Sequence, residues 1–278
     1  MIIDTHSHLN FNAFKEDANE VIKRTLAENI WMINVGTKYE TSHQVIEVAE
    51  KYEEGVYASI GLHPIYAAAE FMKVKTDPDE GEFLIKEQDF EKENYKELAL
   101  SSKKVVAIGE IGLDYYYKPK TSAKLAKFKE KQKQVFLKQL NLAKELNLPV
   151  ILHCRMAHDD VIEILALQQA QGENQKGVVH CFTGNLQQAQ KYMALGFYLG
   201  FNGIIFKFNV DDVIIKSPLD KILVETDCPY LTPPQEMGKR NEPVFIKHTI
   251  QKIADLKGID FKKVADKTTE NAKKLFRI

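Results

Sequence analysis

Met1-Ile2-Ile3-Asp4-Thr5-His6-Ser7-His8 opens the chain with a short apolar run that ends in His-x-His. In an extended strand, residues two apart face the same side, so His6 and His8 present two imidazoles together at the strand's end. Such a pair suits chelation of one divalent cation. Its plain rival is two polar residues in an N-terminal turn. What decides between them is that the pattern recurs. Short β-rich runs lie at 2–5, 31–35, 56–60, 105–108, 149–152, 177–179, 197–201 and 222–225. Several are apolar throughout, as expected of strands buried on both faces of a parallel sheet.

Helical patterns fill the spaces between. Phe14, Ala18, Val21, Ile22, Thr25 and Leu26 recur at i, i+3/i+4 spacing, as do Val45, Val48, Ala49 and Tyr52. Further helices are predicted over 91–101, 124–146, 159–171, 186–195, 243–257 and 261–276, with Asn185 and Asp260 as N-caps. Eight strands, each followed by a connection, give an α/β chain folded as a (β/α)8 TIM barrel. A doubly wound sheet is the rival, but no Gly-x-Gly-x-x-Gly follows the first run. No low-complexity stretch or Pro/Gly/Ser-rich linker divides the chain, so residues 1–278 are expected to form a single domain. Two connections are elaborated. The stretch 64–88 is long and acidic, and 230–242 carries Pro233, Pro234, Gly238 and a Lys239-Arg240 pair.

The 278 residues are 44% hydrophobic and 28% charged, as in ordinary globular proteins, and 38 basic against 39 acidic residues leave a net charge of −1. That balance excludes a surface coated for nucleic acid, so any such contact is local. No apolar run reaches the length of a membrane span, and Asp4 interrupts the only N-terminal apolar run that a signal peptide would need. Cys154, Cys181 and Cys228 are odd in number and far apart, which fits reduced thiols and a cytoplasmic protein.

The residues just past the eight runs are His6/His8, Gly36, His63, Glu110, His153, His180, Asn202 and Asp227, so six of the eight ends carry a histidine or carboxylate. In a barrel these ends converge on one face. Each has an ordinary reading. His63 is a turn residue before Pro64, His153 and His180 are satisfied core histidines, and Glu110 and Asp227 are paired carboxylates. Together they make a set with enough ligands for two divalent cations, one carboxylate bridging. Mixed nitrogen and oxygen donors suit Zn²⁺, Mn²⁺ or Fe²⁺ and tolerate Mg²⁺. Such a pair polarises a substrate oxygen and activates water, so the predicted chemistry is hydrolysis without redox or covalent intermediate. The chain shows no Ser or Cys nucleophile motif. Each cysteine directly follows a candidate ligand, and strand alternation turns it away as a buried packing residue. Arg155, Lys239, Arg240 and Asn241 lie near the same ends and fit an anionic phosphate, or else are solvated surface charge. The tyrosines at 115–117 are expected to pack the loop after the fourth strand rather than stack bases.

The chain resembles the TatD family of metal-dependent deoxyribonucleases, among the amidohydrolase-like metallohydrolase barrels. The resemblance spans essentially the whole chain. It rests on Asp4-Thr-His-Ser-His8, Gly61-Leu-His-Pro64, Ile108-Gly-Glu-Ile-Gly-Leu-Asp-Tyr115, His153-Cys-Arg155, Gly177-Val-Val-His-Cys-Phe-Thr-Gly184, Glu225-Thr-Asp-Cys-Pro-Tyr230, Gly238-Lys-Arg-Asn-Glu-Pro243 and Thr269-Glu-Asn-Ala-Lys-Lys-Leu-Phe276. It implies a TIM barrel with two divalent cations (Zn, Mn or Mg). His6, His8 and Asp227 would hold one, His153 and His180 the other, and Glu110 would bridge them. His63 and Arg155 match positions that face the substrate phosphate. Family members are exonucleases on DNA, some also on RNA. Two departures stand out: Asn10 replaces the usual Asp after His-x-His-Leu, and Met237 replaces an Arg common before Gly-Lys-Arg-Asn-Glu-Pro.

The expectation is therefore a monomeric, non-membrane, 3'-5' exonuclease-like enzyme acting on DNA, and on RNA as a second substrate. A metal-bridging hydroxide would attack phosphorus, with Asp227 and Glu110 as the catalytic carboxylates. The alternative within hydrolases is an ester or amide bond, for example in a D-aminoacyl-tRNA deacylase. The alternative outside enzymes is a metal-binding scaffold.

Overall fold

The computed structural model describes residues 1–71 and 86–278. Eight parallel strands follow one another around the sheet in chain order. They are β1 (Ile2–Ser7), β2 (Ile30–Val35), β3 (Val56–Ile60), β4 (Val105–Asp114), β5 (Val150–Arg155), β6 (Gly177–Val179), β7 (Tyr198–Phe201) and β8 (Ile222–Val224). The sheet curls until its first and last strands meet. Asp227 N donates to His6 O (2.8 Å), and His8 N donates to Cys228 O (2.9 Å). The buried carboxylate of Asp4 ties the same seam by accepting from Thr226 N at 2.9 Å. The expected TIM barrel is the observed fold.

The helices are α1 (Ala18–Ala27), α2 (Tyr39–Ala49), α3 (Pro64–Ala67), α4 (Lys92–Leu100), α5 (Ser122–Glu145), α6 (His158–Ala170), α7 (Leu186–Ala194), α8 (Asp211–Lys216), α9 (Ile246–Lys257) and α10 (Phe261–Phe276). Most lie within two or three residues of the periodic segments. The short α3 and α8 carry too few turns to show a stripe. The predicted first helix splits into a single 3-10 turn at Asn12–Phe14 and α1. Asn185 caps α7 by accepting from Gln188 N at 2.9 Å. Asp260 stands at the N-cap of α10 but makes no capping hydrogen bond. Of the elaborated connection at 64–88, the part 72–85 lies outside the described residues. No helix among the described residues is long and apolar enough to cross a membrane.

Strand alternation explains how the interior is divided. Ile3, Ile33, Ile151, Val178, Tyr198 and Leu223 join Ala272, Leu275 and Phe276 of α10 in one buried cluster. Its members come from around the barrel, so it fills the lower interior, and α10 lies against β1 and β8. Two residues onward along the same face stand His153 after Ile151, His180 after Val178, Gly200 after Tyr198 and Glu225 after Leu223. The inward row thus changes from apolar to ligand-type side chains toward the C-terminal ends. A register shift between Asp4 and Ser7 lets β1 turn His6 and His8 inward as well. A second, larger apolar cluster packs the helices onto the outside of the sheet.

Candidate metal centre

His6 and His8 are buried, and their Nε2 atoms lie 3.0 Å apart. The Nδ1 of His8 donates to Val35 O at 2.8 Å, which leaves its Nε2 lone pair facing inward. Phe11 stacks on the His8 ring with centroids 4.3 Å apart, and the His6 ring stacks on that of His180 at 3.7 Å. Asp227 faces both histidines, with Oδ1 3.8 Å from His6 Nε2 and 3.5 Å from His8 Nε2. It stands just past β8 in the left-handed region, at φ 58°, where the chain turns out of the sheet.

Glu110 is the hub. Its Oε2 lies 3.5 Å from His6 Nε2, and its Oε1 lies 2.7 Å from His153 Nδ1, 3.3 Å from His180 Nε2 and 3.6 Å from His63 Nε2. The predicted strand ended at residue 108, but β4 runs on to Asp114. Glu110 and Asp114 are polar inward residues, so an apolar-run criterion stops short of them. Gly112 between them is required: a Cβ there would lie 2.0 Å from His153 O, and φ is 142°.

The electrostatics follow from packing this many charges away from water. Burial alone would raise the Glu110 carboxyl, but the imidazoles of His63, His180 and His153 outweigh it and hold it well below the usual range. Asp227 is lowered in the same way by His180, His8 and His6. Burial works against a proton on His153, yet Asp114 and Glu110 push its pKa up to about 9. His180 is raised as well, through Glu225, Glu110 and Asp227. His63 goes the other way: burial and neighbouring His153 push it down to about 3.

Four overlapping triads of donor atoms arise, each within 4.8 Å: His6-His180-Asp227, His6-His8-Glu110, His63-Asp114-His153 and Glu110-His153-His180. The donor set fits divalent cations. Ligand imidazoles must be neutral, so a cation bound there would displace any proton that the neighbouring carboxylates favour on His153 and His180. Thiolates are not part of the set. Cys154 and Cys228 are buried as expected and Cys181 is only partly buried, while Cys154 and Cys181 both border the pocket.

A pocket of about 580 Å³ opens beside the cluster, lined by His153, His180 and Asp227 on one side and by Tyr116, Arg155, Phe208 and Leu231 on others. Arg155 lies over Tyr116, its guanidinium carbon 3.6 Å from the ring centroid. Tyr115 packs in the loop as expected, whereas Tyr116 and Tyr117 are exposed. The Lys239–Asn241 segment does not reach in. Arg240 binds Asp17 at 2.7 Å, Lys239 binds Glu236 at 2.7 Å, and Asn241 is buried and donates to Thr226 O at 2.9 Å. Asn10 lies beyond β1, and its amide has no hydrogen-bond partner among the described residues.

Two members of the cluster escaped the reading of the sequence. Asp114 Oδ2 sits 3.1 Å from His153 Nε2, and the buried Glu225 accepts from His180 Nδ1 at 3.0 Å. The signal was present: Asp114 is four residues beyond Glu110 and Glu225 two before Asp227, even spacings that share a strand face.

A family described as TatD related DNase matches residues 3–277. The uncharacterized metal-dependent hydrolase YabD of Bacillus subtilis is 40% identical, with all of both chains covered. A protein of Pectobacterium parmentieri named 3'-5' ssDNA/RNA exonuclease TatD is 32% identical, again over the whole of both. The crystal structure of YjjV, a TatD homolog from Escherichia coli, superimposes with a TM-score of 0.83 at 30% identity, covering 100% of this chain and 98% of that one.

Proposed function

The chain belongs to the TatD family and is a metal-dependent hydrolase, and on that premise we propose that it hydrolyses phosphodiester bonds at the end of a single-stranded nucleic acid. DNA is the proposed substrate, RNA the second, and 3'-5' the direction, as in the name of the Pectobacterium relative. The observation that carries the reading is Glu110, whose carboxylate stands among His6, His63, His153 and His180 beside a pocket holding Arg155.

In this reading His6, His8 and Asp227 would hold one divalent cation and His153 and His180 a second, with Glu110 as a carboxylate available to both. The overlapping triads support two sites rather than one. Zn²⁺, Mn²⁺ and Mg²⁺ are the candidates. Bound there, the cations supply Lewis-acid charge and make water acidic enough to ionise near neutral pH. Asp227, ionised and at the pocket wall, orients the attacking water and accepts its proton. Arg155 offers its planar donors to the phosphate. His63 is neutral at physiological pH and stands at the rim of the cluster, where it orients a phosphate oxygen as a hydrogen-bond donor. The Glu225 and Val35 contacts keep His180 and His8 aimed inward. We take residues 1–278 as one domain that acts as a monomer, since one barrel supplies every group named.

The test is an add-back experiment. Chelated protein should cleave neither DNA nor a small chromogenic diester, and Mn²⁺, Zn²⁺ or Mg²⁺ should restore both. Glu110→Ala should bind less metal and show no restored activity. Full nuclease activity in that variant would sink the assignment. Release of an aminoacyl group from charged tRNA, without phosphodiester cleavage, would replace it by the ester reading.

A further inference from the structure

The connection between β4 and α5, together with the first turns of α5, holds an unbalanced run of charge. From residue 115 to 129 there are five lysines and no acidic residue, in a chain of net charge −1. Several lysines farther along α5 are paired: Lys133 with Asp160 at 3.1 Å and Lys131 with Glu87 at 2.9 Å, although the exposed Lys138 is not paired among the described residues. Lys129 also reaches Asp160, at 3.5 Å. Lys118, Lys120, Lys124 and Lys127 are exposed and have no carboxylate partner among the described residues.

These four lie where α5 begins, at the end of the barrel onto which β4 delivers Asp114. Stability does not explain them. The start of a helix favours acidic side chains, yet the first turn of α5 has none, and Lys124 sits there instead. Lys124 and Lys127 are three residues apart and share a helix face. Unpaired cations kept at an electrostatic cost point to an anion that arrives from outside.

The row also starts at the pocket. Tyr116 lines it beside His153 and Arg155. Tyr117 stands edge-on to Tyr116 with centroids 4.8 Å apart, and the two rings are 42% and 50% exposed, respectively. Exposed aromatic faces followed by cations are the chemistry of a single-strand path: bases stack, and phosphates follow the charge.

Resting on the nuclease reading above, we propose that Tyr116, Tyr117, Lys118, Lys120, Lys124 and Lys127 form a docking track for a single-stranded polynucleotide. It holds the part of the strand that lies outside the pocket while the scissile phosphate occupies the metal centre. The near-neutral net charge and the local row are then compatible: affinity is confined to one path leading into the site.

The experiment compares metal-loaded wild type with the quadruple variant Lys118→Gln/Lys120→Gln/Lys124→Gln/Lys127→Gln and its Lys→Arg counterpart. Substrates are a labelled single-stranded oligonucleotide and bis(p-nitrophenyl) phosphate. For the Gln variant, KM for an oligonucleotide of about twenty nucleotides should rise roughly tenfold or more near physiological salt. The slope of log affinity against log salt should fall by about 0.7 for each phosphate that the variant leaves unneutralised. The Arg variant should behave as wild type, and hydrolysis of the small diester should be the same in all three. Unchanged oligonucleotide kinetics in the Gln variant overturn the track and leave the nuclease reading standing, as does an equal loss on both substrates. A wild type that hydrolyses the small diester but no oligonucleotide overturns both.

Discussion

Glu225 Oε1 accepts a hydrogen bond from Nδ1 of His180 at 3.0 Å, on the opposite edge of the ring from Glu110. The same oxygen accepts from Cys181 N at 2.7 Å and Asn202 Nδ2 at 3.0 Å. A fully buried carboxylate with three donors on one oxygen fixes the imidazole so that Nε2 faces the cluster. Gly200 makes the room, because a Cβ there would come within 2.5 Å of Glu225 Oε2. Glu225→Gln should keep the fold but lower metal affinity about 10- to 100-fold, with activity recovered at high metal. Gly200→Ala should give the same phenotype by displacing the carboxylate. Metal titration followed by calorimetry checks both, and wild-type affinity in the two variants would refute the role.

Removing metal should cost stability as well as activity. The cluster gathers buried and partly buried imidazoles and carboxylates from β1, β4, β5 and the segments after β6 and β8, so a cation that binds only the folded chain stabilises it by mass action. At a free metal concentration of about 100 Kd this amounts to about 2.7 kcal/mol per site. Chelation should therefore lower Tm by several degrees, and Glu110→Ala should erase most of the difference between metal-loaded and chelated protein. Differential scanning calorimetry with and without EDTA measures it. An unchanged Tm would place cation binding outside the folded cluster.

The barrel and its mouth were legible because both are written locally. A strand buried on two faces is an apolar run, and a ligand at its end is the next inward residue, as with Ile151 and His153 or Val178 and His180. The extent of β4 was hidden by its own function, since Glu110 and Asp114 break the apolar run they belong to. The pairing of Arg240 was hidden for another reason. Its partner Asp17 is more than two hundred residues away, and only the closed barrel brings the last loop against the segment before α1. Glu225 sits in the quoted Glu-Thr-Asp motif and passed for a strand residue: its spacing from Asp227 marks a shared face, but only the closed barrel brings it against the His180 ring just past β6.

A pH dependence of stability follows from His158, away from the metal centre. Its ring is buried against Phe182 and Tyr192, with Nδ1 3.2 Å from Tyr192 Oη and Nε2 without a partner among the described residues. Burial pushes its pKa down from 6.5 to about 4. Below pH 6.5 the unfolded chain takes up a proton that the folded chain refuses. This contribution is present above that pH and is lost as pH falls toward 4, reaching about 3 kcal/mol at the full shift. His158→Gln should flatten the stability profile between pH 4.5 and 7. Denaturant midpoints across that window test it, and parallel profiles for the two proteins would dismiss His158 as the cause.

Arg155 separates substrate binding from metal binding. Its guanidinium lines the pocket with His153 and Asp227 and lies against Tyr116, with the second tyrosine 5.7 Å away. No ion pair to it is present among the described residues, so its donors face the pocket without a carboxylate competing for them. A charge-assisted hydrogen bond to a phosphate oxygen is worth about 1.5–3 kcal/mol, so Arg155→Ala should lower kcat/KM roughly 10- to 150-fold. The loss should appear on oligonucleotides and on the small diester alike, unlike the lysine row, because the phosphate in question is the one that reacts. Metal content should stay at the wild-type level, because Arg155 contributes no ligand. Arg155→Lys should restore little: an ammonium offers neither the planar fork nor a planar face over Tyr116. Steady-state kinetics and metal analysis on one preparation decide the matter. A variant that loses metal together with activity, or that keeps wild-type kcat/KM, removes Arg155 from the substrate site.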